Sequence, residues 1–146
     1  MSLTLTQARD EIFTMLKTAI DASSYSSISV RYQDVPVDLT SSAQGTNDNP
    51  DPFLQVELLH LGGRQSSLGP VALYTRNGLL RVMVFSPRGL GMSTLDEICQ
   101  IVLDAYEGHS SPGGVWFRNA HVNEQGADGI WTRMDVLVDF TYNERK

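Results

Sequence analysis

Val71-Ala72-Leu73-Tyr74-Thr75-Arg76-Asn77-Gly78-Leu79-Leu80-Arg81-Val82-Met83-Val84-Phe85 is the stretch whose reading decides the fold. β-branched and aromatic residues dominate it, so it predicts strand. Asn77-Gly78 between apolar runs is a strong local hairpin signal, because both residues tolerate positive φ. The expectation is two strands, Val71 to Thr75 and Leu79 to Phe85, around a turn at Arg76-Asn77-Gly78. In the second arm Leu79, Met83 and Phe85 lie opposite Leu80, Val82 and Val84. Side chains alternate between faces along a strand, so both faces of this arm are apolar and both call for cover. Either the sheet curls over itself or another subunit covers it.

Working towards the N-terminus, Phe53 to Leu61 is a further strand, with Leu54, Val56 and Leu58 pointing one way and Gln55 and Glu57 the other. Gly62 to Ser67 reads as a flexible loop. Before it, residues 36–52 hold few apolar side chains and many turn formers, which predicts a long loop with a functional role or none. Ile28, Val30 and Tyr32 alternate with polar residues as a short strand. At the start, Thr4 and Gln7 have capping-box spacing, and Ala8, Ile12, Met15, Leu16 and Ala19 recur at helical spacing, so a helix is expected from Leu5 to Ala22.

Towards the C-terminus, Ser86 to Gly91 is a turn. Leu95, Ile98, Cys99, Val102, Leu103 and Tyr106 then mark an amphipathic helix, with Thr94 and Glu97 as a second cap and Gly108 at the left-handed C-terminal position. Val115 to Val122 and Ile130 to Tyr142 read as closing strands around Gly126-Ala127-Asp128-Gly129. In the last, Ile130, Met134, Val136, Val138 and Phe140 share one face; Arg133, Asp135 and Asp139 share the other. The order is helix, strand, loop, three strands, helix, two strands. It predicts an α+β domain: a mostly antiparallel sheet of about five to six strands with both helices packed on one face.

The chain has 146 residues, the size of one domain, with 41% hydrophobic and 19% charged residues. Residues 1–146 are expected to form that single domain. No run is long and apolar enough for a membrane helix, and the first residues lack a basic region followed by an apolar one. Seventeen acidic and eleven basic residues leave a net charge of −6. Basic side chains are scattered, so no footprint for sequence-specific nucleic-acid binding is present.

Chemistry-bearing patterns are sparse. Gly89 and Gly91 begin to match a dinucleotide fingerprint, but Thr94 occupies the third glycine position, so a plain capped turn is the better account. His60, His109 and His121 are far apart in sequence and Cys99 is the sole cysteine, which argues against a metal site. Cys99 lies on the apolar stripe of its helix and reads as core. Gly91 to Leu95 lacks the closing glycine of a nucleophile elbow. Asp48 and Asp51 do not match a calcium loop. The expectation is a non-enzymatic chain with no cofactor, acting by surface contact. A small ligand-binding domain, the competing view, would need a deep pocket with converging polar groups. Trp131, beside Arg133, fits either an interface anchor or cross-strand packing within the chain.

The layout as a whole resembles the tail terminator proteins of long-tailed bacteriophages, the minor tail protein U-like group. The likeness rests on the N-terminal helix, the strand ending at Val35-Pro36, the long polar loop, the run Leu73 to Val84, the Pro/Gly turn, the helix Thr94 to Glu107 and the closing hairpin. It implies a ring, six copies in that family, seated on the end of the tail tube. Such a ring stops tube polymerisation and presents its far surface to head-completion or neck proteins. Another head–tail joining protein is the neighbouring possibility. The resemblance places the chain in a virion tail, built in the host bacterial cytoplasm. The residues expected to meet a neighbouring subunit or partner are Leu79, Met83 and Phe85 on the strand face, Asp48, Asp51, Arg64, Gln65 and Arg88 in loops, and Trp131 with Arg133. Acidic charge around a central channel would repel passing DNA.

Overall fold

The computed structural model describes residues 2–33, 51–89 and 91–146. Its elements are α1 (Leu5–Asp21), β1 (Ser29–Tyr32), β2 (Phe53–Gln65), β3 (Leu73–Pro87), α2 (Ser93–Tyr106), β4 (Trp116–Asp128) and β5 (Trp131–Arg145). The five strands form one sheet in the order β1-β2-β3-β5-β4, antiparallel except for the β1–β2 pair. A parallel neighbour needs a long crossover. The chain between Tyr32 and Phe53 makes that connection, so the long polar segment has a topological use. Most of it, including residues 36–50 of the expected loop, lies outside the described residues; Asp51 and Pro52 carry no regular structure.

α1 forms as its spacing predicts. Thr4 Oγ1 accepts from the Gln7 amide at 3.3 Å and Gln7 Oε1 accepts from the Thr4 amide at 3.0 Å, closing the capping box. Ala8, Ile12, Leu16 and Ile20 of α1, and Leu95, Ile98, Cys99, Val102 and Tyr106 of α2, are buried in a core shared with one sheet face. That face carries Leu54, Val56 and Leu58 of β2, Leu80, Val82 and Val84 of β3, and Met134, Val136, Val138 and Phe140 of β5. Tyr106 Oη donates to the Ile12 carbonyl at 2.8 Å inside this core and so ties the two helices together.

Four expectations are corrected. First, no hairpin turn exists at Arg76-Asn77-Gly78: β3 is continuous through it, with Asn77 and Gly78 paired to β2 on one side and β5 on the other. Gly78 is not among the glycines with positive φ. It is there for space. A Cβ on it would meet the Leu59 carbonyl oxygen and lie 2.5 Å from Phe140 Cζ. Second, Gly62 to Gln65 are strand rather than loop, paired with Asn77 to Tyr74 after a register shift between His60 and Gly62. Third, Thr94 and Glu97 do not cap α2: its N-cap is Met92, with no side-chain bond. Glu97 instead accepts a hydrogen bond from Tyr25 Oη, which raises the tyrosine pKa above its ordinary value. Fourth, the closing turn is narrower than expected. Gly126, φ 81°, serves a bulge, and Gly129-Ile130 alone connect β4 to β5, so Ile130 is exposed at a tip. A second irregularity in β4, between Arg118 and His121, contains Asn119 at φ 55°.

Candidate functional site

The sheet face away from the helices carries most of the expected contact residues, but not as one site. At one end Phe53 and Phe85 stack at 4.5 Å between ring centroids, and Trp131 meets Phe53 edge-on at 5.0 Å. Met83 completes this small cluster. Arg31 lies 3.9 Å above the Phe53 ring and Arg133 5.6 Å from the Phe85 ring, both in cation–π geometry. Arg133 also donates two bonds to Asp135, at 2.8 and 2.9 Å. Met83 is 4% and Phe85 8% exposed in the single chain. Their apolar side chains are therefore already covered by chain neighbours, and a subunit contact at this end would be made by half-buried Trp131 and Arg133. Arg88 stands on the adjacent turn, exposed, with its amide donating to the Ile130 carbonyl at 2.8 Å.

Leu79 sits midway along the same face, half-buried, opposite Leu59 and Asp139. Arg64 and Gln65 lie at the far end, exposed, where β2 pairs with Thr75 and Tyr74. Ten residues of β3 separate Thr75 from Phe85, roughly 34 Å of strand. The two clusters cannot share one small ligand. Asp51 is exposed just before β2, and Asp48 lies outside the described residues.

Around the expected Arg64 and Gln65 and on the opposite layer, the structure adds three surfaces. The hairpin joining β2 to β3 is capped by exposed apolar side chains: Leu61 is 66%, Leu68 92% and Val71 57% exposed. Ser67 and Gln65 shape its tip, with the Leu73 amide donating to Ser67 Oγ at 2.8 Å and Gln65 Nε2 donating to the Ser67 carbonyl at 2.9 Å. Arg64 is the only charged residue between Leu61 and Leu73. Beside the hairpin, Arg64, Arg118, Trp116 and Asn77 line a shallow cationic hollow of about 410 Å³. On the opposite layer an open groove of about 530 Å³ runs between the helices. Met15, Ala19 and Ala105 line it, together with the carboxylates of Asp10, Glu11 and Asp104. α2 itself carries Asp96, Glu97 and Asp104 and no lysine or arginine. The available signal was that every charged residue of α2 is acidic.

His60 Nε2 bonds Tyr142 Oη at 2.7 Å and packs edge-on against Phe140 at 5.4 Å, over the bare backbone of Gly78. Burial lowers its pKa from the ordinary value, with Arg9 and Arg76 acting in the same direction. His121 Nδ1 bonds the Asn119 carbonyl at 2.7 Å, and His109 is exposed. Cys99 is buried, and burial pushes its thiol pKa up to about 12, so it is neither a nucleophile nor a ready ligand at neutral pH. Among the described residues no group of three or more His, Cys, Asp or Glu side chains converges to hold a metal ion. No helix among them is long and apolar enough to cross a membrane.

No family model matches the chain, and no curated protein does. Solved structures do. One protein chain superposes with a TM-score of 0.70 at 13% identity over 96% of both chains. A chain from the virion of a native gene transfer agent particle superposes with a TM-score of 0.50 at 14% identity, over 91% of this chain and 92% of its own. At such identities the likeness is one of fold, and the α+β architecture described above, nearly end to end, is what this chain shares with a component of a virion particle.

Proposed function

We propose that the chain is a structural part of a phage-like particle, and specifically a tail terminator. It forms a ring on the end of the tail tube, stops tube growth and offers its other surface to head-completion or neck proteins. The observation that carries this reading is the shared fold, over nearly the whole chain, with a chain of a gene transfer agent virion. The resemblance in element order to the tail terminators refines it from particle component to terminator. The protein's surface is compatible: an exposed apolar hairpin tip and a carboxylate-lined groove offer contact area. Function is then contact, without bond making or breaking, in the tail of a particle assembled in the bacterial cytoplasm.

Tube assembly tests it. Tail tube protein from the same locus, polymerising alone, should give tubes of unregulated length. Adding this chain should produce capped tubes with a ring visible at one end by electron microscopy. Tubes that grow equally long with and without it would overturn the terminator role. If the chain instead binds only head-side proteins, it is another head–tail joining component.

A further inference from the structure

We propose that copies of this chain join head to tail, with the β2–β3 hairpin tip of one seated in the α1–α2 groove of the next. The inference rests on the ring reading and names the contact that would build the ring.

The two surfaces complement one another. Leu68 stands at the tip, 92% exposed, so it does not occupy any groove of its own chain. Val71 and Leu61 extend its apolar surface. The groove is lined by short or flexible apolar side chains, Met15, Ala19 and Ala105, which leave room for an inserted residue. Charge follows the same pattern. The tip's single charge is the cation Arg64, and the groove carries Asp10, Glu11 and Asp104 with no lysine or arginine among its lining residues. Glu11 already accepts a bond from Ser111 Oγ at 2.8 Å, and Asp104 one from Gln100 at 2.8 Å, and each carboxylate retains oxygen lone pairs for a guanidinium. Like would repel like if tip met tip or groove met groove, so the pairing is between unlike surfaces.

Such a contact is heterologous. Each copy spends its tip on one neighbour and its groove on the other, so association continues until the rotation per copy closes a ring. One inserted leucine with one ion pair is a small interface, and closure gives each copy two of them.

Two exposed-site variants test the contact. Leu68→Asp removes the apolar tip, and Thr18→Arg fills the groove and adds a charge of the same sign as Arg64; both side chains are exposed, so both variants should fold, as circular dichroism would check. Sedimentation and native mass spectrometry follow the wild type up to about millimolar concentration. Wild type should associate beyond the dimer, and each variant should associate about 10- to 100-fold more weakly. Mixed, the two variants should form one-to-one heterodimers and stop there, because one retains only the groove and the other only the tip. Association unchanged by either variant, or wild type that stays monomeric throughout, would overturn the contact. Tube capping by either variant at wild-type level would overturn it too while leaving the terminator role standing, whereas failure of the wild type to cap tubes strikes the role itself.

Discussion

Replacing Gly78 by alanine should cost the domain several kcal/mol, although the change adds one methyl group. Gly78 lies in the middle strand, paired with His60 on one side and Phe140 on the other. The new Cβ would press on the Leu59 carbonyl oxygen and stand 2.5 and 2.8 Å from Phe140 Cζ and Cε1. Ordinary contact begins near 3.4 Å, so the ring must retreat by about 1 Å in a packed interior. Phe140 is fully buried, with His60 edge-on at 5.4 Å and Tyr142 stacked at 6.2 Å, which leaves no empty side to retreat into. Overpacking costs about 1–3 kcal/mol, and prising β2 from β3 loses ladder bonds worth about 1 kcal/mol each. The sum, about 3–5 kcal/mol, is a large share of the ~5–15 kcal/mol that a domain of this size has. Urea unfolding followed by tryptophan fluorescence measures it. Asn77→Ala, at the exposed neighbour, should stay within about 0.5 kcal/mol. A Gly78→Ala variant as stable as wild type or more so, the outcome for a strand glycine with no packing role, would refute the reasoning.

Three further outcomes are expected. Tyr106→Phe, which removes the bond to the Ile12 carbonyl while keeping the ring, should cost about 1 kcal/mol in the same unfolding assay. His60 has a folded pKa below its unfolded value, so the unfolded chain binds its proton first; that contribution to stability is complete above about pH 6.5 and is lost as pH falls from there to the folded pKa. The acid-side slope between pH 7 and 5 should flatten in His60→Asn relative to wild type. Cys99 should resist a thiol reagent at pH 8 in the native protein and react at once in denaturant; fast native labelling would mean that α2 opens readily.

The helices were legible from sequence because their burial repeats every three to four residues: Ala8, Ile12 and Leu16 in one, Leu95, Ile98 and Val102 in the other. The face assignments of β2, β3 and β5 were equally legible, since alternation survives whatever the strands pair with. The Asn77-Gly78 error shows the limit. Two residues that favour a turn locally were overridden by partners on both sides, none of them nearby in sequence. Gly62-Gly63 misled in the same way, being strand because Asn77 and Arg76 lie opposite. Of the expected contact residues, Asp51, Arg64, Gln65 and Arg88 lie exposed and Leu79, Trp131 and Arg133 half-buried, while Met83 and Phe85 pack with Phe53. Strand apolarity reports that a side chain needs cover, and does not say whether its own chain provides it. The groove between the helices was illegible because it is made of two segments about ninety residues apart.

β4 forms one border of the sheet, and it is crooked twice, at Asn119 and at Gly126. A straight border would present an even row of amides and carbonyls to any passing strand. Here the spacing of those groups is broken, and neighbouring copies cannot zip onto it in register. A border broken in this way resists the fibrous deposits that an even edge invites, and leaves recognition to knobs, hollows and charge.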